Sequence, residues 1–231
     1  MQFNLLDVEC SDKELLTTAF THPSYTKEHS LDYSKNYERL EFLGDAVLKL
    51  VVSNLLYDKY PDYEEGELSK IRSILVSDMT LSKIAFKMGL DEHIILGTGE
   101  EHTGGRHRES NIACCFEAVL GVYYLDGKID YVEKFLNENL MPYADDIEQH
   151  FEKYNAKAVL QEYTQKINGE LPLYQVIEMK GPPHSPVFVV SVSYQGNVLA
   201  QGEGHTKKDA QQDAAYKACA ELGIIEEENN E

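Results

Sequence analysis

Residues 36–50 read NYERLEFLGDAVLKL, and this stretch predicts one amphipathic helix that begins near Tyr37. At about 100° per residue, the carboxylates of Glu38, Glu41 and Asp45 fall on one narrow stripe. The opposite side carries an apolar stripe of the kind that packs on a core, formed by Leu40, Leu43, Val47 and Leu50. The stretch therefore predicts a core helix whose second face is acidic.

The acidic stripe has few cations to compensate it. Acidic surface helices commonly place Lys or Arg four residues after an acid, but Glu41 is followed at that spacing by Asp45, and only Asp45 is followed by a lysine, Lys49. The like charges cost a few tenths of a kcal/mol, and Gly44 inside the helix costs about 1 kcal/mol more than alanine. A solvated acidic face is one interpretation; the other is a bound divalent cation that offsets both costs.

The charge of the whole chain is distributed unevenly. The 231 residues have a formal net charge of −19, which is unlike the usual basic composition of a nucleic-acid-binding protein. Residues 155–222, however, contain six lysines and seven acidic residues and are almost neutral. This contrast favours two domains with different roles, which we assign to residues 1–146 and 155–224, followed by an acidic tail at 225–231.

The cysteines and the hydropathy pattern indicate the cellular compartment of the protein. Cys10, Cys114, Cys115 and Cys219 form neither a disulfide framework nor a C-x-x-C metal motif, and reduced thiols are usual in the cytosol. No apolar stretch is long enough to span a membrane, and the N-terminus lacks the features of a signal peptide. We therefore expect a cytoplasmic protein.

Two patterns of secondary structure follow one another along the chain. The first 150 residues predict only helices, with short loops at THPSY (21–25) and at the polar, glycine-rich segment 97–108. After Tyr154 the pattern changes to a helix, three strands and a closing helix, at residues 157–168, 174–179, 187–194, 197–204 and 207–222. The predicted fold is an all-helical domain followed by a small α-β-β-β-α domain.

Glu117 stands in the apolar sequence CCFEAVLG, residues 114–121, inside a predicted helix. Burial of an unpaired carboxylate is expensive. One interpretation therefore leaves Glu117 exposed at the helix surface. The other brings it against Glu41 and Asp45 across a helix–helix contact, where three carboxylates could bind Mg²⁺, an ion that prefers oxygen ligands.

Several of these motifs together resemble a known family. The run YERLEFLGDAVL resembles the signature of the ribonuclease III family, and the THPSY motif, EEG-x-L-S at 64–69, GGR-x-R-ES at 104–110 and FEAVLG-x-x-YLD at 116–126 follow in that family's order. The C-terminal part resembles a double-stranded-RNA-binding domain. The segments LQEYTQ (160–165), GPPHSPVF (181–188) and GHTKKDAQQDAA (204–215) correspond to the three segments of that domain that contact RNA. The resemblance covers nearly the whole chain.

The resemblance implies a homodimeric endonuclease that depends on Mg²⁺, with Mn²⁺ as an alternative, and cuts both strands of duplex RNA. It implies 5′-phosphate and 3′-hydroxyl ends, a role in processing rRNA precursors, mRNA and other structured RNAs, and neither a membrane partner nor a small-molecule cofactor. By position, Glu41, Asp45 and Glu117 would hold the metal, and Asp45 and Glu117 would be essential for hydrolysis.

The same resemblance gives roles to three more residues of the first domain. Glu38 and Glu65 would lie in an acidic cleft near the RNA, and Phe42 would contribute to the dimer interface, although packing within the monomer would also explain Phe42. Cys114 departs from the family pattern, which usually has Asp at this position. Since a neutral thiol is a poor ligand for Mg²⁺, we expect weaker Mg²⁺ binding, with Cys114 acting as a small buried residue. The alternative function is a duplex-RNA-binding dimer with weakened or absent cleavage.

The second domain would read duplex RNA mostly by shape, through phosphates and minor-groove hydroxyls. Lys207 and Lys208, at the start of the last helix, could reach phosphates. Gln161 and Glu162 could bond to minor-groove hydroxyls, and His184 could reach another groove. Without the domain pattern, the lysines would be read as ordinary surface and His184 as a brace for a proline-rich loop. The almost neutral charge predicts modest affinity with a small salt dependence.

Overall fold

The computed structural model describes residues 8–181 and 186–225. The chain divides into two units, Met1–Glu148 and Gln149–Glu231. The first is helical and the second combines helices with a three-stranded sheet, which confirms the predicted fold class. His184 and residues 226–231 of the predicted tail lie outside the described residues. In the described part of the chain, no helix combines the length and apolar character needed to cross a bilayer.

The α-helices of the first unit follow one another with short connections. They are α1 (Lys13–Phe20), α2 (Pro23–Glu28), α3 (Glu38–Lys59), α4 (Glu65–Leu75), α5 (Asp78–Lys87), α6 (Thr98–His102), α7 (Glu109–Leu125), α8 (Ile129–Asn139) and α9 (Pro142–Gln149). Single 3₁₀ turns occupy Tyr33–Lys35, Leu90–His93 and Gly105–His107. Helix α7 is almost entirely buried because α1, α3 and α5 all pack against it.

Helices α3 and α7 meet backbone to backbone at two glycines. A Cβ atom added to Gly44 would lie 2.5 Å from the carbonyl carbon of Glu117 and closer still to its oxygen. A Cβ atom added to Gly121 would lie 2.6 Å from the carbonyl oxygen of Leu40. Close packing of the two helices therefore explains the glycine inside α3, without any need for a cation to offset its low helix propensity.

The buried side of α3 differs from the predicted one at its end. Leu40 and Val47 are buried as expected, but Leu50 is 67% exposed. The helix continues to Lys59, and its buried stripe passes through Val51, about 100° around the axis from Leu50. The assignment of Leu50 to the core was therefore wrong.

Two predicted loops contain short helices. In THPSY, the chain enters α2 at Pro23, and the Ser24 N–H donates to His22 Nδ1 at 3.0 Å, which caps the helix. The segment 97–108 contains α6 and a 3₁₀ turn and is held by the ion pairs Arg106–Glu101 and Arg108–Glu100, at 2.6 and 2.5 Å. Both elements are too short to show helical periodicity in the sequence.

Local signals fix the ends of two helices in the first unit. Asp12 caps α1, since its carboxylate accepts from the Leu15 N–H at 2.8 Å. Helices α8 and α9 are separated at Pro142, the first residue of α9, because proline is favoured at a helix start and disfavoured inside one.

The second unit contains α10 (Phe151–Tyr154), α11 (Ala156–Asn168), β1 (Leu173–Lys180), β2 (Val187–Tyr194), β3 (Asn197–Gly204) and α12 (Lys207–Glu221). The antiparallel sheet has the order β1-β2-β3. Its inner face packs on the small side chains of α12, and a Cβ atom added to Gly202 would lie 2.6 Å from the Ala210 carbonyl oxygen. Glycine in β3 and alanine in α12 thus let the helix lie directly on the sheet.

Candidate acidic active site and RNA-binding surface

The start of α3 is fixed by the segment before it. The Glu38 N–H donates to Asn36 Oδ1 at 3.0 Å, and buried Asn36 donates through Nδ2 to Thr26 Oγ1 at 3.3 Å. The Tyr37 N–H donates to the Thr21 carbonyl oxygen at 2.9 Å. These bonds join the THPSY region to the signature helix and so set the position of its first acidic residues.

Glu117 on α7 faces the acidic stripe of α3. Its carboxylate is half-buried, which excludes the fully exposed interpretation. Burial first, and then the charges of Asp45 and Glu41, raise the pKa of Glu117 to about 8. Burial is also the main cause that raises the pKa of Glu41, with smaller effects of Glu38 and Asp45. The structure thus brings the carboxylates of both helices close enough to repel one another.

A fourth carboxylate, Asp78, belongs to the same region but was missed in the sequence. It is the first residue of α5, after the cap Ser77. Its charge acts on Glu41, Cys114 and Glu117, raising the pKa of each. An acid in the first turn of a helix is ordinarily explained by the helix dipole, and only the packing of α5 on α7 reveals this proximity. We call Glu41, Asp45, Asp78 and Glu117 the acidic cluster.

One lysine lies beside the acidic cluster. Lys49 Nζ is 2.8 Å from Asp45 Oδ2, the pair expected from their spacing. The same ammonium group lowers the pKa of Glu117, against the larger effects that raise it. Lys49 is partly exposed and offsets only part of the charge of the four acids, so the cluster retains a negative potential that favours cations.

Cys114 is half-buried and takes part in the cluster through a hydrogen bond. Its thiol donates to the Glu41 carboxylate, which lowers the pKa of Glu41. Burial and the charge of Glu41 raise the pKa of Cys114, so the thiol stays neutral. The prediction of a small buried residue was therefore incomplete, because Cys114 also supplies a hydrogen-bond donor to a neighbouring carboxylate.

The donor chemistry of the cluster suits a hard divalent cation, although the ligands are not fully assembled. Among residues 8–181 and 186–225, no group of three carboxylate, thiol or imidazole side chains is arranged so that it could hold a metal ion. Mg²⁺ commonly uses one or two protein carboxylates and completes its shell with water and substrate phosphates. The oxygen donors and their mutual repulsion therefore fit such an ion, with Glu41, Asp45 and Glu117 as its possible ligands.

The three other predicted site residues of the first unit are exposed. Glu38 is exposed at the first position of α3, and its charge acts on Glu41. Glu65 is exposed at the start of α4 and accepts a hydrogen bond from Ser69 Oγ at 2.7 Å. Phe42 is 81% exposed, so packing within the monomer does not explain this residue.

In the second unit, four of the five predicted RNA-binding residues are exposed. Gln161 and Glu162 lie on α11, and Lys207 and Lys208 lie in the first turn of α12. Thr206 Oγ1 accepts from the Asp209 N–H at 3.0 Å and so caps α12. The fifth residue, His184, lies outside the described part of the chain.

Comparisons with known proteins agree with both units. The family model described as Ribonuclease-III-like matches residues 12–144, and the double-stranded RNA binding motif matches residues 156–222. The chain is 44% identical to Ribonuclease 3 of Streptococcus pyogenes serotype M5 (strain Manfredo) over 220 residues, which cover 95% of each protein. Ribonuclease 3 of serotype M3 (strain SSI-1) is also 44% identical, over 221 residues.

A solved structure supports the first unit in particular. The nuclease domain of ribonuclease III from Campylobacter jejuni superposes with a TM-score of 0.54 at 36% identity, covering 59% of this chain and 92% of that one. That nuclease domain shows structural flexibility in a region involved in dimer formation. Taken with the two family matches, these similarities show that the chain belongs to the ribonuclease III family and is an endoribonuclease with a double-stranded-RNA-binding domain.

Proposed function

We propose that this endoribonuclease requires Mg²⁺, with Mn²⁺ as a possible substitute, and cuts both strands of duplex RNA to give 5′-phosphate and 3′-hydroxyl ends. The observation that carries the proposal is the half-buried carboxylate of Glu117 facing Glu41 and Asp45. A buried group of like charges is costly without a cation, and phosphodiester hydrolysis is a reaction that such a cation promotes. Residues 1–146 would form the catalytic domain and residues 155–224 the RNA-binding domain.

Each residue of the cluster has a proposed task. Glu41, Asp45 and Glu117 would hold the cation, which when bound would stabilise the charge that develops on the phosphodiester. The thiol of Cys114 orients Glu41 through its hydrogen bond, and Lys49 holds Asp45. In the cation-free protein near neutral pH, Glu117 carries a proton that a bound cation would displace. Glu38 and Glu65 would line the approach of the RNA.

An exposed apolar stripe on α3 supports a homodimer. Phe42, Leu50 and Tyr57 are 81%, 67% and 71% exposed, and their spacing places them within about 80° of one another around the helix. Exposed apolar patches commonly mark protein interfaces. We expect Phe42→Asp, which places a charge in this exposed stripe, to give a monomer by light scattering after gel filtration. A wild-type monomer would contradict this part of the proposal.

The cellular role follows from the family and remains a proposal. Duplex segments occur in rRNA precursors, in mRNA and in other structured transcripts, which would be the substrates. All four cysteines are free thiols in the structure, as is usual for proteins in the reducing cytoplasm, where processing would take place.

The direct test is incubation of the full chain with a long RNA duplex, with and without Mg²⁺. We expect short duplex fragments only when the metal is present, and products that a 5′-phosphate-dependent exonuclease degrades. Glu117→Gln should bind the duplex but not cut it. Binding by the wild-type chain without cutting would favour the second candidate, a duplex-RNA-binding dimer with a weakened site, for which the thiol at Cys114 is the supporting observation.

A further inference from the structure

Lys157 is a half-buried lysine in the first turn of α11, and its two described partners are neutral. Its Nζ atom donates to Gln211 Oε1 at 2.6 Å. The same ammonium group lies 5.0 Å from the centre of the Tyr174 ring. Lys157 is therefore fixed in one place by contacts that leave its positive charge without a counterion in the described part of the chain.

The lack of a counterion distinguishes this region from two other lysines of the second unit. Lys180 and Lys217 are each paired with a carboxylate, at 2.8 and 2.7 Å. Lys157, Lys207 and Lys208 form no ion pair with a carboxylate among residues 8–181 and 186–225. Burial and the nearby charge of Lys208 lower the pKa of Lys157. Removing a charge from water without a partner is unfavourable, so an anion at this position would stabilise the ammonium group.

The position of Lys157 connects the two helices that carry the predicted RNA contacts. Lys157 and Gln161 are four residues apart and thus about 40° apart around α11, on the same side of the helix. Gln211 lies one turn after Lys207 on α12. The hydrogen bond between Lys157 and Gln211 therefore joins the side of α11 that carries Gln161 to the first turns of α12.

We propose that Lys157 binds a backbone phosphate of duplex RNA, between the minor-groove contacts of α11 and the lysines of α12. The inference rests on the proposed binding of duplex RNA and adds a residue to that surface. The domain has almost no net charge, so its affinity for RNA depends mainly on lysines that are not already paired with a carboxylate. Lys157 would be one of them.

The test is the salt dependence of duplex binding, measured by fluorescence anisotropy with the full chain in EDTA so that no cleavage occurs. Lys157→Met keeps the aliphatic stem over the Tyr174 ring and removes the charge, whereas Lys157→Arg keeps the charge. We expect Lys157→Met to weaken binding about threefold to tenfold at low salt and to reduce the slope of log K against log[salt] by about one for each bound chain. Lys157→Arg should retain the wild-type slope.

Lys166→Met is the matched control. Lys166 is exposed on the same helix, and nine residues of separation place it on the opposite side of α11 from Lys157, so its removal should leave the slope unchanged. A Lys157→Met protein with unchanged affinity, or with weaker binding but the wild-type slope, would overturn the inference. Failure of the wild-type chain to bind duplex RNA would instead overturn the proposed function, so the two failures are distinguishable.

Discussion

The contact between α3 and α7 at Gly44 gives the most direct test of how the fold positions the acidic cluster. Replacement of Gly44 by alanine adds a Cβ atom 2.5 Å from the carbonyl carbon of Glu117 and closer to its oxygen. Real Cβ atoms essentially never approach other atoms within 3.0 Å. Since the obstacle is backbone within a buried helix, it cannot rotate away, and the helices must separate by roughly 1 Å.

The size of the effect follows from two opposing terms. Alanine gains about 1 kcal/mol over glycine in helix propensity. A gap of about 0.5–1 Å forfeits a quarter to a half of the dispersion attraction across the contact, and overpacked cores usually lose about 1–3 kcal/mol or more. We expect the steric term to win, since the clash is with backbone, with a net loss of about 2 kcal/mol and a melting transition of the first unit lowered by roughly 4–8 °C.

The substitution should also weaken metal binding, because the displaced backbone belongs to Glu117. Thermal melts and urea denaturation measure the stability, and calorimetric titration with Mn²⁺ measures the binding. Gly66→Ala is the matched control for propensity, since Gly66 lies in α4 with no atom within 4 Å of its added Cβ, and it should be neutral or slightly stabilising. Leu140→Ala, which empties a fully buried site after α8, controls for lost stability alone.

Two results would refute this reasoning. A Gly44→Ala protein as stable as the wild type would show that the two helices tolerate a larger separation. A destabilised Gly44→Ala protein that binds Mn²⁺ as tightly as the Leu140→Ala protein would show that the crossing point does not position Glu117.

The remaining predictions concern the charges of the cluster. The pKa of Glu117 is raised from near 4.5 to about 8, so the metal-free fold binds an extra proton, and its stability should fall as pH rises through that range. Glu117→Gln should make the free energy of unfolding less dependent on pH. In urea denaturation with EDTA at pH 8, this variant should be about 1–2 kcal/mol more stable than wild type. Equal pH profiles of the two proteins would contradict a raised pKa at Glu117. Cys114→Asp should raise Mg²⁺ affinity by calorimetry, because a carboxylate replaces a neutral thiol; unchanged or lower affinity would count against it. Asp78→Asn should weaken Mn²⁺ binding severalfold, whereas Asp130→Asn at the start of α8 should not, and equal effects would remove Asp78 from the cluster.

Elements with a strong local pattern could be predicted from the sequence. The strands at 187–194 and 197–204 have the predicted bounds, because alternation and turn residues are local signals. The helix that contains Glu117 was also predicted, because its sequence is apolar. The proximity of Glu117 to Glu41 could be anticipated because a carboxylate in an apolar helix needs a reason to be there.

Features that depend on tertiary contacts could not be predicted in the same way. Gly44 was read as a cost within a helix, whereas the backbone of a second helix explains it. Asp78 looked like an ordinary first-turn acid, and Leu50 looked like core because the end of the buried stripe depends on what packs against it. Each error concerns a contact between elements distant in sequence.

The thiol at Cys114 links the charge of the cluster to its stability. In the cation-free protein, Glu41 accepts a hydrogen bond from this thiol, and Glu117 holds a proton near neutral pH. Both features reduce repulsion at a crossing that cannot open, because its two glycines leave the backbones in contact. An aspartate at position 114 would remove the donor and add another like charge, so Cys114→Asp should lower the melting temperature in EDTA and regain it when Mg²⁺ binds. Part of any gain in metal affinity would then come from destabilising the metal-free state. A Cys114→Asp protein that binds Mg²⁺ more tightly but melts like the wild type in EDTA would show that the gain comes from the added ligand alone.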